Sequence, residues 1–234
     1  MKICLYASYA TSYKELNLIL NQVNLISLQF DFFYVMLISY LNESNINNFI
    51  ENRTNDNIQI FKSNKNGYDF GSWKFLMDKI NLYNVENILF MNSSIKVVCL
   101  NSFNLTKQKL FKEELIYFLA SSNEIKKHGQ SYIFSANGLG IKIISDFFKK
   151  YNPSNRRNYT ILNGELGLSE YLLINNIQIE ALYKSNFRVF IRFINFILKL
   201  GFRYNISGLL FWKTINPILY DKYYFKNIFG ITKS

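Results

Sequence analysis

Cysteine, histidine and proline are scarce in this sequence of 234 residues, which has two, one and two of them. Cys4 and Cys99 are too few for a disulfide framework or a cysteine-built zinc site. Both lie in apolar runs and are expected to be buried thiols. The lone His128 excludes a centre of several histidines. Acidic residues are also few: 16 Asp and Glu against 27 Lys and Arg give a formal charge of +11. Charged residues make up only 18% of the chain and hydrophobic ones 49%, a balance that excludes intrinsic disorder. No apolar run reaches the roughly 18 residues of a membrane span. Met1-Lys2 opens directly into a short strand-like run that breaks at Ser8, so no signal peptide is expected and the cytoplasm is the expected compartment.

The chain is rich in Asn, Ile, Lys, Phe and Tyr, and aromatics reach 18%. A+T-rich codons supply these residues, so part of the charge and of the aromatic content carries no functional message. Hydrophobic periodicity is more informative. Lys2–Ser8, Phe32–Ser39, Ile58–Phe61 and Glu86–Met91 read as strands. Between them Glu15–Leu28, Glu43–Ile50 and Phe70–Ile80 read as helices. Strands alternating with helices imply βαβ units and a mostly parallel sheet covered on both faces. Further on, Lys107–Ser121 reads as a helix. Ser131–Ala136 and Gly140–Ile143 read as two strands around an Asn137-Gly138 turn. Ile144–Tyr151 and Asn163–Asn175 read as helices, and Gln178–Tyr183 as a strand. The expectation is one α/β domain spanning 1–234, without internal repeat or flexible linker.

Three segments carry groups suited to chemistry. Asn64–Trp73 places two glycines and small polar groups after a strand and before a helix, at the end of the sheet where open α/β folds bind ligands. Its backbone N–H groups favour an anion. The same residues also suit an ordinary loop with Asp69 or Ser72 as helix cap. The strand Ile88–Met91 ends abruptly in Asn92-Ser93-Ser94, a functional strand end or a plain turn. Glu165 stands beside Gly164 and Gly167 at a helix start, as a general base or as an acid favoured by the helix dipole. His128, by itself, reads as a surface or hydrogen-bonded residue.

Taken in order, these segments resemble the rhamnan synthesis F family of bacterial glycosyltransferases. The family's Asn-x-Gly-x-Asp-Phe-Gly-Ser loop is matched by Asn64–Ser72, and its Met-Asn-Asp-Ser strand end by Met91–Ser94. His-x-Gln-Ser is matched by His128–Ser131, and Glu-x-Gly-Leu-Ser by Glu165–Ser169. An aromatic-Trp-Lys element with a later proline is matched by Phe211-Trp212-Lys213 and Pro217. The resemblance runs from about residue 58 onward. It implies a single Rossmann-like domain of the GT-A type with a helical C-terminal part. Residues 1–100 would form the nucleotide-binding half, 101–185 the acceptor half and 186–234 a basic aromatic segment. It implies inverting transfer of a sugar, rhamnose by the family's name, from a nucleotide-diphosphate donor to a hydroxyl of a cell-surface polysaccharide or its lipid-linked precursor. Asn66, Gly67, Asp69 and Ser72 would line the nucleotide pocket. Asn92 and Ser94 would sit by the diphosphate and its metal, Glu165 would be the acceptor-activating base, and His128, Gln130 and Trp212 would face sugar or acceptor. Ser93 stands where the family has Asp, so the strand end offers no carboxylate to magnesium or manganese. Lys65 or Lys74 would then be the candidates to neutralise the diphosphate.

No acidic residue occurs between Ala181 and Tyr220, a stretch carrying Arg188, Arg192, Lys199 and Arg203 among phenylalanines and isoleucines. Such a segment suits a helix lying on an anionic membrane surface, here the inner face of the plasma membrane, or a core helix with a basic edge. Two other classes compete. The charge is compatible with nucleic acid, but no nucleic-acid-binding motif is present and no nucleic-acid partner is expected. The missing aspartate would also suit a non-catalytic subunit of a glycan assembly system.

Overall fold

Alternate residues along the first strand go to opposite faces, and both faces are apolar, so the strand must be covered on each side. The computed structural model, which describes residues 1–51, 55–63, 67–113, 115–122, 127–185 and 231–233, shows how. The first half is β1 (Lys2–Ala10), α1 (Tyr13–Ser27), β2 (Phe32–Ser39), α2 (Glu43–Glu51), β3 (Ile58–Ser63), α3 (Tyr68–Lys79) and β4 (Asn87–Asn92). β3, β2, β1 and β4 lie side by side in that order, all parallel.

The second half begins with β5 (Ile95–Val97), α4 (Leu100–Lys112), β6 (Leu115–Ser122), β7 (His128–Gly129), β8 (Ile133–Asn137) and α5 (Leu139–Lys150). It continues through a short turn α6 (Arg157–Tyr159), a π-helical segment (Thr160–Leu166), α7 (Gly167–Ile174), β9 (Glu180–Ser185) and β10 (Ile231–Lys233). β8 inserts antiparallel between β4 and β6, and β9 adds parallel to β6. The result is a mixed, mostly parallel eight-stranded sheet, while β10 pairs separately with β5.

The core divides as the strand alternation requires. Cys4 and Tyr6 of β1 and Leu89 and Met91 of β4 face α1 and α4, meeting Leu16, Val23 and Phe103. Ile3, Leu5, Ile88 and Phe90 face α3, α5 and α7, meeting Trp73, Ile144, Phe148 and Leu172. Trp73 is the pivot of the second face. Its ring stands edge-on to Phe90 and Phe134, and its Nε1 donates to the carbonyls of Leu5 at 3.1 Å and Met91 at 3.3 Å.

Three expectations need correction. Residues 107–121 are not one helix: α4 closes at Lys112 and β6 begins at Leu115, whose φ of +66° turns the chain out of helical geometry. Leu-Ile-Tyr-Phe-Leu-Ala is too short an apolar run for periodicity to tell strand from helix. Gly140–Ile143 is not a strand but the opening of α5, because Ile141, Ile144, Phe147 and Phe148 make one helical stripe. Gly138, at φ +51°, starts that helix instead of a hairpin. Cys99 is exposed, preceding α4, whereas Cys4 is buried as expected. Of the segment 186–234, expected to be helical, only 231–233 lie within the described residues, and they form a strand.

Candidate functional site

The carboxyl ends of β1 and β4 and the start of α3 converge beside the π-helical segment. Gly67 caps the start of α3, and a Cβ there would come within 3.1 Å of the Gly71 Cα and 3.3 Å of Pro153. A side chain there would be tight, and Gly71 and Pro153 would have to give by a few tenths of an ångström. The next residue, Tyr68, holds φ at +50°, a costly conformation for a bulky side chain and one that recurs at functional loops. Asp69 follows in the first helical turn.

Asp69 is partly buried and does more than a simple helix cap would. Its Oδ2 accepts a 2.7 Å hydrogen bond from Nδ2 of Asn92, at the end of β4. The carbonyl oxygen of Asn92 is taken in turn by the N–H of Ser94 at 3.2 Å and by its hydroxyl. One amide therefore orients both a carboxylate and the turn after the strand. Burial pushes the Asp69 carboxyl up to about 6; the Asn92 bond opposes this and the nearby negative charge of Glu165 adds to it.

Glu165 reaches this place through a distortion. The chain from Thr160 to Leu166 winds as a π-helix, a rare form concentrated at functional sites. Gly164 presses its backbone against the Phe70 ring: a Cβ there would lie 2.7 Å from the ring. That contact sets Glu165 alongside the first turn of α3. Oε1 of Glu165 accepts the Ser131 N–H at 3.0 Å. Ser131 lies in a bulge. Between the pairs Phe118↔Phe134 and Ser121↔Gly129, three steps along β6 match five on the returning chain. Bulges of this kind re-aim groups next to active sites. Ser169 locks the arrangement, donating to the Glu165 carbonyl at 3.1 Å and accepting the Gly129 N–H at 3.2 Å.

The structure thus brings together Asp69, Asn92, Ser94 and Glu165, with Gly67 capping the helix that carries Asp69. Ser72 is buried one turn further along α3. His128 is buried in β7, next to the Gly129–Ser169 link. The Gln130 side chain accepts from the Tyr132 hydroxyl at 2.6 Å. Lys74 pairs with Asp78 one turn along α3 at 3.1 Å. Asn66, Lys65, Trp212 and the basic aromatic stretch lie outside the described residues.

Sequence reasoning missed a cleft of about 560 Å³ at the ends of β1 and β4, whose lining includes Tyr6, Tyr9, Lys14, Ser93, Ser94 and Lys96. Tyr6, in its lining, feels Asp69: burial first, and then the charges of Cys4 and Asp69, hold its phenol well above the ordinary range. Lys96 carried a faint signal, standing as a polar residue between the buried Ile95 and Val97. A second cleft of the same volume runs past Arg156, Arg157, Tyr159 and Asn163, on the turn leading into the π-helix.

The residues after β4 do not fit a protein-held divalent cation. Asn92 presents N–H to Asp69, and its oxygen is already taken. Ser93 and Ser94 bring no charge, and among the described residues no three acids, histidines or cysteines gather.

No family model matches the chain, and no curated protein is significantly similar to it. Solved structures are similar in fold. The 4-diphosphocytidyl-2C-methyl-D-erythritol synthase of Anaerococcus prevotii aligns with a TM-score of 0.50 at 10% identity, over 77% of this chain and 86% of its own. A Bacillus anthracis protein assigned as glucose-1-phosphate thymidylyltransferase aligns with a TM-score of 0.50 at 10% identity, over 79% and 87%. A galactosyltransferase bound to donor and acceptor sugar analogues is more distant: its TM-score is 0.42 at 15% identity over 71% and 72%, a likeness too slight to build on. At such identities the likeness establishes the fold alone, a Rossmann-like α/β fold with a mostly parallel central sheet.

Proposed function

We propose that this protein is a glycosyltransferase that moves a sugar from a nucleotide-diphosphate donor to a hydroxyl of a glycan or of its lipid-linked precursor. The observation that carries the reading is the Asp69–Asn92–Ser94 chain of hydrogen bonds with Glu165 set against it, where the strand ends open into a cleft. Open α/β sheets take their ligands at such strand ends. The order of motifs that resembles the rhamnan synthesis F family falls on these same residues, and rhamnose is the donor sugar to try first.

In this reading Ser131 fixes one oxygen of Glu165 and the other receives the acceptor's hydroxyl proton. The hydroxyl oxygen bonds to the anomeric carbon as the bond to the nucleoside diphosphate breaks, and the configuration inverts in the single displacement. General-base help contributes on the order of 10²–10⁴-fold, and alignment of the partners adds to it. Glu165→Gln is therefore expected to cut turnover by roughly 10²-fold or more while leaving donor affinity nearly unchanged. Transfer and hydrolysis assays with a panel of nucleotide sugars, with calorimetry on the same variant, test this. Full activity in Glu165→Gln removes the residue from the reaction.

The two solved proteins at TM-score 0.50 favour a second reading, nucleotidyl transfer from a nucleoside triphosphate to a sugar phosphate. Cradling a triphosphate on backbone N–H groups calls for a glycine-rich loop, and Thr11-Ser12, which joins β1 to α1, has no glycine. Release of pyrophosphate from nucleoside triphosphates, absent with nucleotide sugars, would decide for it. The substitution of Ser93 for an acid favours a third reading, a non-catalytic subunit. Nucleotide-sugar binding without turnover in any donor and acceptor combination would decide for that one.

A further inference from the structure

The strand end that would hold a metal has no charged ligand, yet a departing diphosphate needs positive charge. We infer that Lys14 and Lys96 receive the donor's diphosphate in the cleft at the ends of β1 and β4. The inference rests on the nucleotide-sugar reading and names the groups that its donor meets.

Both lysines line that cleft, together with the hydroxyl-bearing turn Ser93-Ser94 that follows β4. Their positions are built. β5 alternates Ile95 in, Lys96 out and Val97 in, so burial of its neighbours turns the lysine to the cleft side. Gln22 of α1 pairs with Val97 as a strand would, accepting its N–H at 2.6 Å and donating to its carbonyl at 3.2 Å. β10 pairs with β5 on the backbone, placing Thr232 opposite Lys96. α1 and β5 are thereby joined, and with them the two lysines.

Neither ammonium group has an acidic partner among the described residues. Glu15 is the acid in the cleft lining, and it is turned back on the chain. One of its oxygens takes the Thr11 N–H at 2.7 Å and the Thr11 hydroxyl at 2.8 Å, which holds its carboxyl below the ordinary range. Two cations without acidic partners among the described residues, beside a serine turn, form a site for a dianionic phosphate group. Lys74, by contrast, faces Asp78 down its own helix.

Calorimetric titration of UDP, dTDP and GDP into the full-length protein, in EDTA and again with Mn²⁺, tests the inference. One of them is expected to bind in EDTA. Lys96→Ala is expected to weaken that binding roughly 10- to 100-fold, Lys14→Ala by less, and Lys96→Arg only slightly. Inorganic pyrophosphate is expected to compete with the wild type and not with the double alanine variant. Binding that requires Mn²⁺ and is equal in wild type and Lys96→Ala overturns the inference and leaves the nucleotide-sugar reading standing. Absence of binding by every nucleotide in both buffers overturns the two together.

Discussion

Asp69 shows how one enclosed group changes the pH response of a fold. Its carboxyl titrates near 6 in the folded chain, against about 4 when unfolded, because burial disfavours the charged form. A raised carboxyl pKa contributes stability that is complete below about pH 4 and is lost as pH climbs through 6. Asp69→Asn keeps an oxygen for the Asn92 amide and removes the titration. Urea unfolding of both proteins at pH 4 and pH 8 should show the variant gaining on the wild type by on the order of 2–3 kcal/mol between the two. Equal pH slopes would mean that the carboxyl is solvated. The residue with the most interesting titration is therefore also the one hydrogen-bonded to the strand end, and its charge state couples the two acids of the site.

Glycine packing decides what the elements can do. The π-helical segment presents Glu165 only because Gly164 lies flat on Phe70, which itself packs on Trp73, Phe148 and Tyr151. Gly164→Ala would place a methyl 2.7 Å from that ring. It is expected to cost about 1–3 kcal/mol of stability and to lower turnover further by moving Glu165 off Ser131. Gly167→Ala is the control. Its Cβ would come no nearer than 3.3 Å, to the Leu162 carbonyl, and alanine favours the helix. Thermal melts and initial rates on the two variants check the contrast, and a Gly164→Ala enzyme of wild-type activity would show that the seating of Glu165 on Phe70 is dispensable. The same reasoning applies to Gly129, where an added Cβ would lie 2.3 Å from the Phe118 ring. The return strand and its bulge fit against β6 only with that side chain missing.

Over the whole molecule, the central position of β1 makes Cys4 a reporter of global opening. β1 is flanked by β2 and β4 and covered on both faces, and burial holds the Cys4 thiol well above its ordinary range. Cys99 is exposed, and its thiol is lowered by hydrogen bonds from Ser102. A thiol reagent is expected to modify Cys99 at once and Cys4 only through unfolding. The urea dependence of Cys4 labelling should then match that of the global transition. A shallow dependence would show instead that the sheet opens locally. Among the described residues no helix is long and apolar enough to cross a membrane.

The parallel half of the fold was legible because local chemistry and tertiary need agree there. Runs such as Phe32–Ser39 are β-branched and aromatic, buried on both faces, and bounded by polar turns, so they have one solution. The glycine-bearing loop before α3 and the polar end of β4 were legible for the same reason, as breaks in strong patterns. The second half was not. Leu115–Ser122 is apolar enough for either helix or strand, and only the partners β8 and β9 make it a strand. The seating of Glu165 by a π-turn on Phe70, and of Lys96 by Gln22 and β10, depends on contacts between residues distant in sequence. Composition and spacing name the groups that can do chemistry; which of them share a cleft is fixed by packing that no local pattern encodes.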